Sequence, residues 1–455
     1  MASTAVYRTL SQNYGTGGGI TTISFWFKRA RVGTNEVLTS SYYSGSYYGQ
    51  FQLGSNDKLT IQDWRTTNVY SKTTNKLFRD INAWYHVCWS FNNRTGGSSS
   101  SNLWINGELI TDWASETEYS YQATTSWNTD YTHYIGCLNT SSSQAYFSGI
   151  IADYYFIQGQ EYNVSLFGET DTATGQWKPK TNPTIDYSGT GTNSCHLKFE
   201  NSGNLDLDSG DNNLTFTTSG SLTQTEDCPS NVFVTMNRLL PSTDALTMEN
   251  GNLYNGDQSP NNWQAIGSTL AAFTGKYYWE YKIESVWGST SNTTHRHGIA
   301  NYGVRLNENR SSQGDVAWTD DAMALGWQNS NGVRYSNSVT MTSEFGTYVA
   351  NDILMFAVDL TNLKIYFGKN GTWLNSGDPT SGSSGTGAYS IPVAGEWGPY
   401  SETKYGSDNV SWNMGNGFFR TTDITSAGTN ASNLGRFEYD VPTGYTALCT
   451  KGLNE

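Results

Sequence analysis

The sequence predicts an all-β protein: two antiparallel β-sandwich domains joined by a polar, loosely structured connector. Three observations predict it. Apolar and polar residues alternate in run after run, which is the period of a strand with one buried face. Asn-Gly pairs stand between such runs, where a tight hairpin needs two residues at positive φ. Gly, Asn, Ser and Thr recur throughout the 455 residues, and no amphipathic pattern outlasts two helical turns. That length exceeds one ordinary domain. Only 15% of residues are charged, while aromatics reach 14%, with 16 Trp and 30 Tyr. So many rings can fill two cores and leave some over for surfaces, which a disordered chain could not do.

The elements follow in order. Ile23-Ser24-Phe25-Trp26-Phe27 sets Ile23, Phe25 and Phe27 on one face. Trp84 to Phe91 does the same with Tyr85, Val87, Trp89 and Phe91. The Ser/Gly run from Arg94 to Asn102 is a loop tip, and Leu103 to Ile110 is a hairpin turning on Asn106-Gly107. From 167 to 237 the chain is rich in Asp, Asn, Gly, Ser and Thr, with few apolar pairs. It reads as the connector, with short hairpins at His196–Phe199 and Leu214–Phe216, so the domains span 1–166 and 238–455. In the second half Ile353 to Val358 is a strand, and Leu363 to Phe367 leads into a second Asn-Gly turn at Asn370-Gly371. The halves share no repeat that aligns.

Charge and cysteines exclude several classes. Net charge is −14, and the 26 basic residues form no cluster larger than Lys28, Arg29 and Arg31. A groove tracking nucleic-acid phosphates needs many more cations, and so does an anionic membrane surface. No apolar run approaches the roughly 18 residues of a membrane span. The N-terminus has no basic segment followed by an apolar one, so no signal peptide is expected. Five Cys without CxxC spacing argue against a disulfide scaffold or zinc site and for folding in a reducing cytosol, with a Cys195–Cys228 pair left open.

The first 160 residues resemble the laminin-G-like or concanavalin A-like jelly roll. Carrying the likeness, in order, are Ile23 to Arg29, Trp84-Tyr85-His86-Val87, Leu103-Trp104-Ile105-Asn106-Gly107, Tyr134-Ile135-Gly136 and Phe147-Ser148-Gly149-Ile150-Ile151-Ala152-Asp153. Residues 245–450 resemble a SPRY domain through Gly275-Lys276-Tyr277-Tyr278-Trp279-Glu280, His297-Gly298-Ile299-Ala300, Ala324-Leu325-Gly326-Trp327, Lys369-Asn370-Gly371 and Pro442-Thr443-Gly444-Tyr445. Asn351 departs from that pattern, which usually has Gly. The connector, with Gly175-Gln176-Trp177-Lys178-Pro179, Cys195-His196-Leu197-Lys198-Phe199 and Asp227-Cys228-Pro229-Ser230-Asn231, resembles the linker of virion proteins of tailed, marine-type bacteriophages. The resemblance implies a location on the virion exterior after synthesis in the bacterial host cytoplasm. It also implies other virion proteins as partners and contact with host cell-surface polysaccharide.

No catalytic pattern stands out. Glycosidases of this sandwich use Glu-x-Asp-x-x-Glu to pair carboxylates, but Glu116 and Glu118 lack that spacing. Asp206 to Asp211 is similar to a calcium loop, with its Gly one place early and no Glu at position 12; it reads as a polar turn. Asp320, Asp321 and Asp352 also carry loop carboxylates but read the same way, as polar turns; the laminin-G-like resemblance leaves calcium open without assigning residues, and no other cofactor is expected. His295 and His297 share a strand face without a third ligand and read as a solvated strand start. The positive signal is the aromatic surplus, because sugar rings stack on Trp and Tyr while Asp, Asn and Ser bond their hydroxyls. The loop candidates are Trp64, Trp113, Trp127 and Tyr131, flanked by Asp63, Asp112 and Asp130, then Trp287, Trp318, Asp320, Asp321 and Tyr335. The expectation is a non-enzymatic exterior phage protein, a head decoration or fibre tip, binding host glycans through sandwich loops as a homo-oligomer, a trimer. Alternatives are a purely structural capsid cement, a tail-associated polysaccharide depolymerase and, least fitting, a peptide-binding SPRY adaptor.

Overall fold

The structure, a computed structural model, describes residues 4–13, 17–94, 96–140, 145–172, 174–188, 193–239, 247–256, 264–286, 295–302, 324–329, 332–334, 347–404 and 407–454. The chain is all-β and divides into two compact units, Met1–Gln224 and Thr225–Glu455.

In the first unit, eight described strands form one sheet. In spatial order they are Trp113–Thr117, Thr67–Leu77, Lys58–Arg65, Tyr47–Leu53, Glu36–Ser44, Thr132–Ile135, Ala5–Thr9 and Thr217–Ser219. Six more form the opposing sheet: Cys195–Leu197, Gly149–Gln158, Ile20–Arg29, Trp84–Asn92, Ser100–Ile105 and Glu108–Leu109. All these pairings are antiparallel. Between the sheets lie Ile23, Phe25, Phe27, Phe51, Ile61, Val87, Trp89 and Phe91, as the alternation requires. Both Asn-Gly turns form, with Asn106 and Gly107 at φ 51° and 82°, and Asn370 and Gly371 at φ 48° and 82°.

The stretch expected as a connector is instead divided between the units. Cys195–Leu197 pairs with Gly149–Gln158, and Thr217–Ser219 pairs with Ala5–Thr9, so neither belongs to a local hairpin. Phe167, Ile185 and Tyr187 pack on Cys88, Trp104, Tyr155 and Ile157, the residues that alternate to the outer face of the six-stranded sheet. Trp177 lies flat over Gly107 and Gly168, where an added Cβ would come within 2.5 Å and 2.4 Å of its ring. Its indole N–H donates to His86 Nδ1 at 2.9 Å. Indole can only donate, so His86 carries its proton on Nε2 and gives it to Ser24 Oγ, 2.8 Å away. The apolar residues of this stretch are isolated anchors, each with a distant partner, and a local count of apolar pairs misses them. Asp208, in the calcium-like loop, accepts the backbone N–H groups of His196, Gly210 and Leu214, so it staples a turn.

In the second unit, a sheet runs Met248–Glu249, Tyr254–Asn255, Asn409–Asn413, Lys276–Ser285, Ile353–Asp359, Lys364–Lys369 and Thr372–Trp373, with Tyr389–Ser390 and Thr446–Ala447 alongside. It faces a sheet of Gln264–Gly267, Trp397–Thr403, His295–Asn301, Ala324–Gln328 and Gly332–Arg334. Trp279, Tyr281, Trp327, Phe356, Trp397 and Trp412 fill the space between, joined by Val234 and Met236 from the former connector. All five cysteines are free thiols.

His295 and His297 are fully buried, which overturns the reading as a solvated strand start. His295 Nε2 lies 3.1 Å from Asp408 Oδ1, and its Nδ1 lies 3.3 Å from His297 Nε2. His297 Nδ1 meets Ser401 Oγ at 3.0 Å. Both rings pack against Tyr348, so the strand brings its own polar partners into the core.

Glu280 is the other buried polar junction. Its carboxylate accepts Tyr278 O–H at 2.8 Å, the backbone N–H groups of Glu438 and Tyr439 at 2.8 Å and 2.9 Å, and Asn413 Nδ2 at 3.2 Å. It ties the central strand to the 438–439 segment. Replacing Glu280 with Ala orphans those donors and should cost this unit about 3 kcal/mol or more, read as a lowered calorimetric transition. A loss under about 1 kcal/mol would show that water takes the carboxylate's place.

Candidate functional site

The eight-stranded sheet turns one face to the core and the other outward. Strand Lys58–Arg65 alternates cleanly: Leu59, Ile61 and Asp63 point in, while Thr60, Gln62 and Trp64 point out. In Tyr47–Leu53 the inward set is Gly49, Phe51 and Leu53, and the outward set is Tyr48, Gln50 and Gln52. Register pairs Tyr42 with Tyr48 and Tyr48 with Trp64. Directly opposed residues share a face, so Tyr42, Tyr48 and Trp64 form one half-exposed row across three strands. Two strand spacings make the row about 10 Å long. Beside it, the buried Gln50 donates its Nε2 to Gln52 Oε1 and Gln62 Oε1, 3.4 Å from each, which leaves Gln52 and Gln62 as the half-exposed amides. Tyr7 and Tyr134 stack at 5.3 Å further along the same face. Burial pushes the Tyr48 hydroxyl pKa up, so it remains a protonated donor at neutral pH. This face can hold an extended polar ligand with apolar ring faces: rings to stack on and amides to bond hydroxyls.

One residue further along its strands, and so on the other side of the sheet from the row, the 44–47 hairpin tip carries a second cluster. Tyr43, 68% exposed, stacks on Tyr131 at 5.2 Å and meets Tyr47 edge-on at 6.3 Å. Arg65 lies over both Tyr47 and Tyr131, its guanidinium carbon 5.5 Å and 5.7 Å from the ring centres.

Of the sequence candidates, Trp64 enters the row and Tyr131 the hairpin-tip cluster. Trp113 is half-buried on an edge strand, packs on the core and has Lys72 Nζ 4.9 Å from its ring; Asp112 beside it accepts Asn75 Nδ2. Trp127 is not a surface ligand. It is fully buried against Phe51 and Trp89, and it fills the space over Gly49, where a Cβ would come within 2.7 Å of its ring. Asp63 puts it there. This buried carboxylate accepts Ser126 N–H, Ser126 O–H and Tyr119 O–H at 2.8, 2.6 and 2.8 Å, pinning the turn Ser126–Asn128 inward. Asp130 is exposed. Trp287, Trp318, Asp320, Asp321 and Tyr335 lie outside the described residues. Confining candidates to loops missed Tyr42, Tyr48, Gln50 and Gln62; the signal that finds them is an aromatic on the polar side of an alternating strand.

Glu116 and Glu118 both approach Lys72 Nζ, at 3.9 Å and 2.6 Å, at the sheet edge. Asp352 accepts Val349 N–H and Asn370 Nδ2 and closes a turn. Among the described residues no group of His, Cys, Asp and Glu is arranged to hold a metal ion, and no helix is long and apolar enough to cross a membrane.

Residues 3–160 match the concanavalin A-like lectin/glucanases superfamily. No curated protein is significantly similar in sequence. Among solved structures, the chain is similar to the SPRY domain of human HERC1, at 16% identity over 40% of this chain and 93% of that one, TM-score 0.25. It is also similar to domains LG4-5 of the mouse laminin alpha1 chain, at 8% identity over 88% and 79%, TM-score 0.29. A third likeness is to domain 4 of AbnA, an extracellular arabinanase of Geobacillus stearothermophilus solved with arabinotriose, at 14% identity over 32% and 64%, TM-score 0.25.

Trp127 sits between two titrating groups of opposite sign. Burial pushes the Asp63 carboxyl from 3.8 up to about 6 despite its three donors. Burial, then the Arg8 charge, pushes His133, edge-on to Trp127, from 6.5 down to about 3. The raised carboxyl contributes stability that is complete below pH 3.8 and lost as pH rises through about 6. The lowered imidazole contributes stability present above pH 6.5 and lost as pH falls through about 3. Asp63→Asn removes only the first, so the unit's thermal midpoint should fall more steeply from about pH 6 to about pH 4 than the wild type's. Parallel curves would show that Asp63 is ionised across that range.

Proposed function

We propose that the chain is a non-enzymatic glycan-binding protein, and that its binding surface is the outer face of the eight-stranded sheet. The observation that carries this is the half-exposed row Tyr42, Tyr48 and Trp64, with the half-exposed Gln52 and Gln62 beside it on one sheet. The match of residues 3–160 to a superfamily of lectins and glucanases supports the same reading. Pyranose rings present C–H faces about as wide as one strand spacing, so a row crossing three strands accommodates a short stretch of extended polysaccharide. The amides pair with hydroxyls without adding charge.

The setting we propose is the exterior of a tailed phage particle, as head decoration or fibre tip, with host-surface polysaccharide as the ligand. Support comes from the resemblance of both halves and of the 175–231 motifs to such virion proteins. There the chain would act as a homo-oligomer, a trimer, held to other virion proteins.

Glycan-array screening of the whole protein, followed by titration of the best ligand, tests the surface. Trp64→Ala and Tyr48→Ala should each weaken binding about tenfold, the loss of one stacked ring, with little change in thermal midpoint. Trp127→Ala should do the reverse, destabilising the unit by about 3–5 kcal/mol while the folded fraction binds normally. Equal affinity in Trp64→Ala, Tyr48→Ala and wild type would remove this face from the function.

A further inference from the structure

We infer that the outer face of the eight-stranded sheet selects an uncharged, linear polysaccharide and holds the interior of the chain, laid across the strands from Thr9 to Asn68. This deepens, and rests on, the glycan-binding reading of that face.

The row of Tyr42, Tyr48 and Trp64 does not stop at three strands. Register continues it from Tyr42 to Thr132 and Thr9 on one side, and from Trp64 to Asn68 on the other. Opposed residues share a face, so the row crosses six strands, and its five spacings make it about 24 Å long. Thr9 and Asn68, at its ends, are exposed, and the residues between them are half-exposed. The Thr9 and Thr132 hydroxyls meet at 2.8 Å. One flank has a wall. Ser40, two residues along the strand from Tyr42, donates its hydroxyl to the carbonyls of Cys137 and Leu138 at 3.0 Å and 2.8 Å, so the chain leaving Thr132–Ile135 crosses the face there.

No member of the row carries a formal charge. Arg8, Asp63, Arg65 and His133 each adjoin a member in sequence, and alternation turns them to the other side of the sheet. Asp63 is spent there on Ser126 and Tyr119, and His133 packs edge-on to Trp127 and Phe156. A polyanion would find no cation along the row and would approach a chain of net charge −14. An uncharged polymer meets rings for its C–H faces, with threonine hydroxyls and the Asn68, Gln52 and Gln62 amides for its hydroxyls. Both ends of the row are open. Thr66, Thr67 and Asn68 are exposed at one end. Beyond Thr9 the face runs into a groove lined by Thr9, Asn213, Thr215 and Thr217; Arg8 also lines it and donates to Asn193 Oδ1 at 3.3 Å. A chain can therefore enter at one end and leave at the other, with room for about five sugar rings at one ring per strand spacing.

The test uses full-length protein with linear β-1,4-glucan, β-1,3-glucan and β-1,4-mannan, the carboxymethylated derivative of each, and oligosaccharides of graded length from the polymer that binds best. That polymer should bind about tenfold more tightly than its carboxymethylated form, and its affinity should change less than about twofold between about 0.05 and 0.5 M salt. Affinity should climb with length to about five units and then level, and a long chain should carry more than one protein, as interior binding allows. Thr9→Ala and Asn68→Ala, both at exposed positions, should each cost a six-unit chain about threefold, the worth of one hydrogen bond, while three-unit chains and the thermal midpoint stay unchanged. A carboxymethylated polymer preferred over its parent, affinity that falls steeply with salt, one protein per long chain, or long-chain affinity unmoved in both variants would overturn the inference. If binding in such a case is still weakened by Trp64→Ala, the glycan-binding face stands and only this ligand class falls; no binding to any glycan would sink both.

Discussion

A sandwich of two sheets has four faces, and only two of them can bury each other. The fate of the remaining faces organises the first unit. On the six-stranded sheet, alternation sends Cys88, Trp104, Tyr155 and Ile157 outward, and these need a cover. The chain supplies one from its own 162–187 segment, with Phe167, Trp177, Ile185 and Tyr187 as anchors. On the eight-stranded sheet, the outward residues include Gln52, Gln62 and Thr60 between the aromatics, half-exposed polar groups that tolerate water. The two sheets share a core but differ in what their backs carry.

The same constraint explains which polar groups are buried. His86 is sealed under Trp177, so its two nitrogens must be satisfied inside, and indole N–H and serine hydroxyl meet that need. Asp63 faces the core because strand parity puts it there, and the Ser126 turn folds over it to supply donors. In the second unit His295, His297, Ser401 and Asp408 form a linked set for the same reason. In each case an element that must pass through the core carries a polar residue, and a neighbouring segment is recruited to pair it.

This separates what was legible in the sequence from what was not. Alternation and Asn-Gly turns depend on neighbours a few residues apart, so strands such as Ile20–Arg29 and Trp84–Asn92, and both hairpins, could be read directly. The role of 167–237 could not, because Trp177 and Leu197 declare themselves only through partners such as His86 and Tyr154, far away in the chain. The candidate surface was half legible. Trp64 and Tyr131 stood out as aromatics near Asp, but the same rule chose Trp127; half-exposed Trp64 adjoins a buried Asp63 while buried Trp127 is near an exposed Asp130, so a neighbouring Asp says nothing about where the ring points. What separates them is Gly49, whose missing side chain is the slot Trp127 occupies.

Placing a binding surface on strands rather than loops has an energetic consequence. Tyr42, Tyr48 and Trp64 stand on paired backbone and have few torsions left to lose when a ligand stacks, so little of the stacking energy is spent on ordering. A row about 10 Å long still contacts only a short stretch of polymer, and single-site affinity stays modest. In the proposed setting, several copies on one particle would convert that into firm adhesion, because once one copy is bound the others meet the same polysaccharide at high effective concentration. In that proposed array rigidity would matter twice: it limits the entropy lost at each site and keeps the sites presenting the same face outward. A flat, pre-ordered sheet face meets both needs without a closing lid.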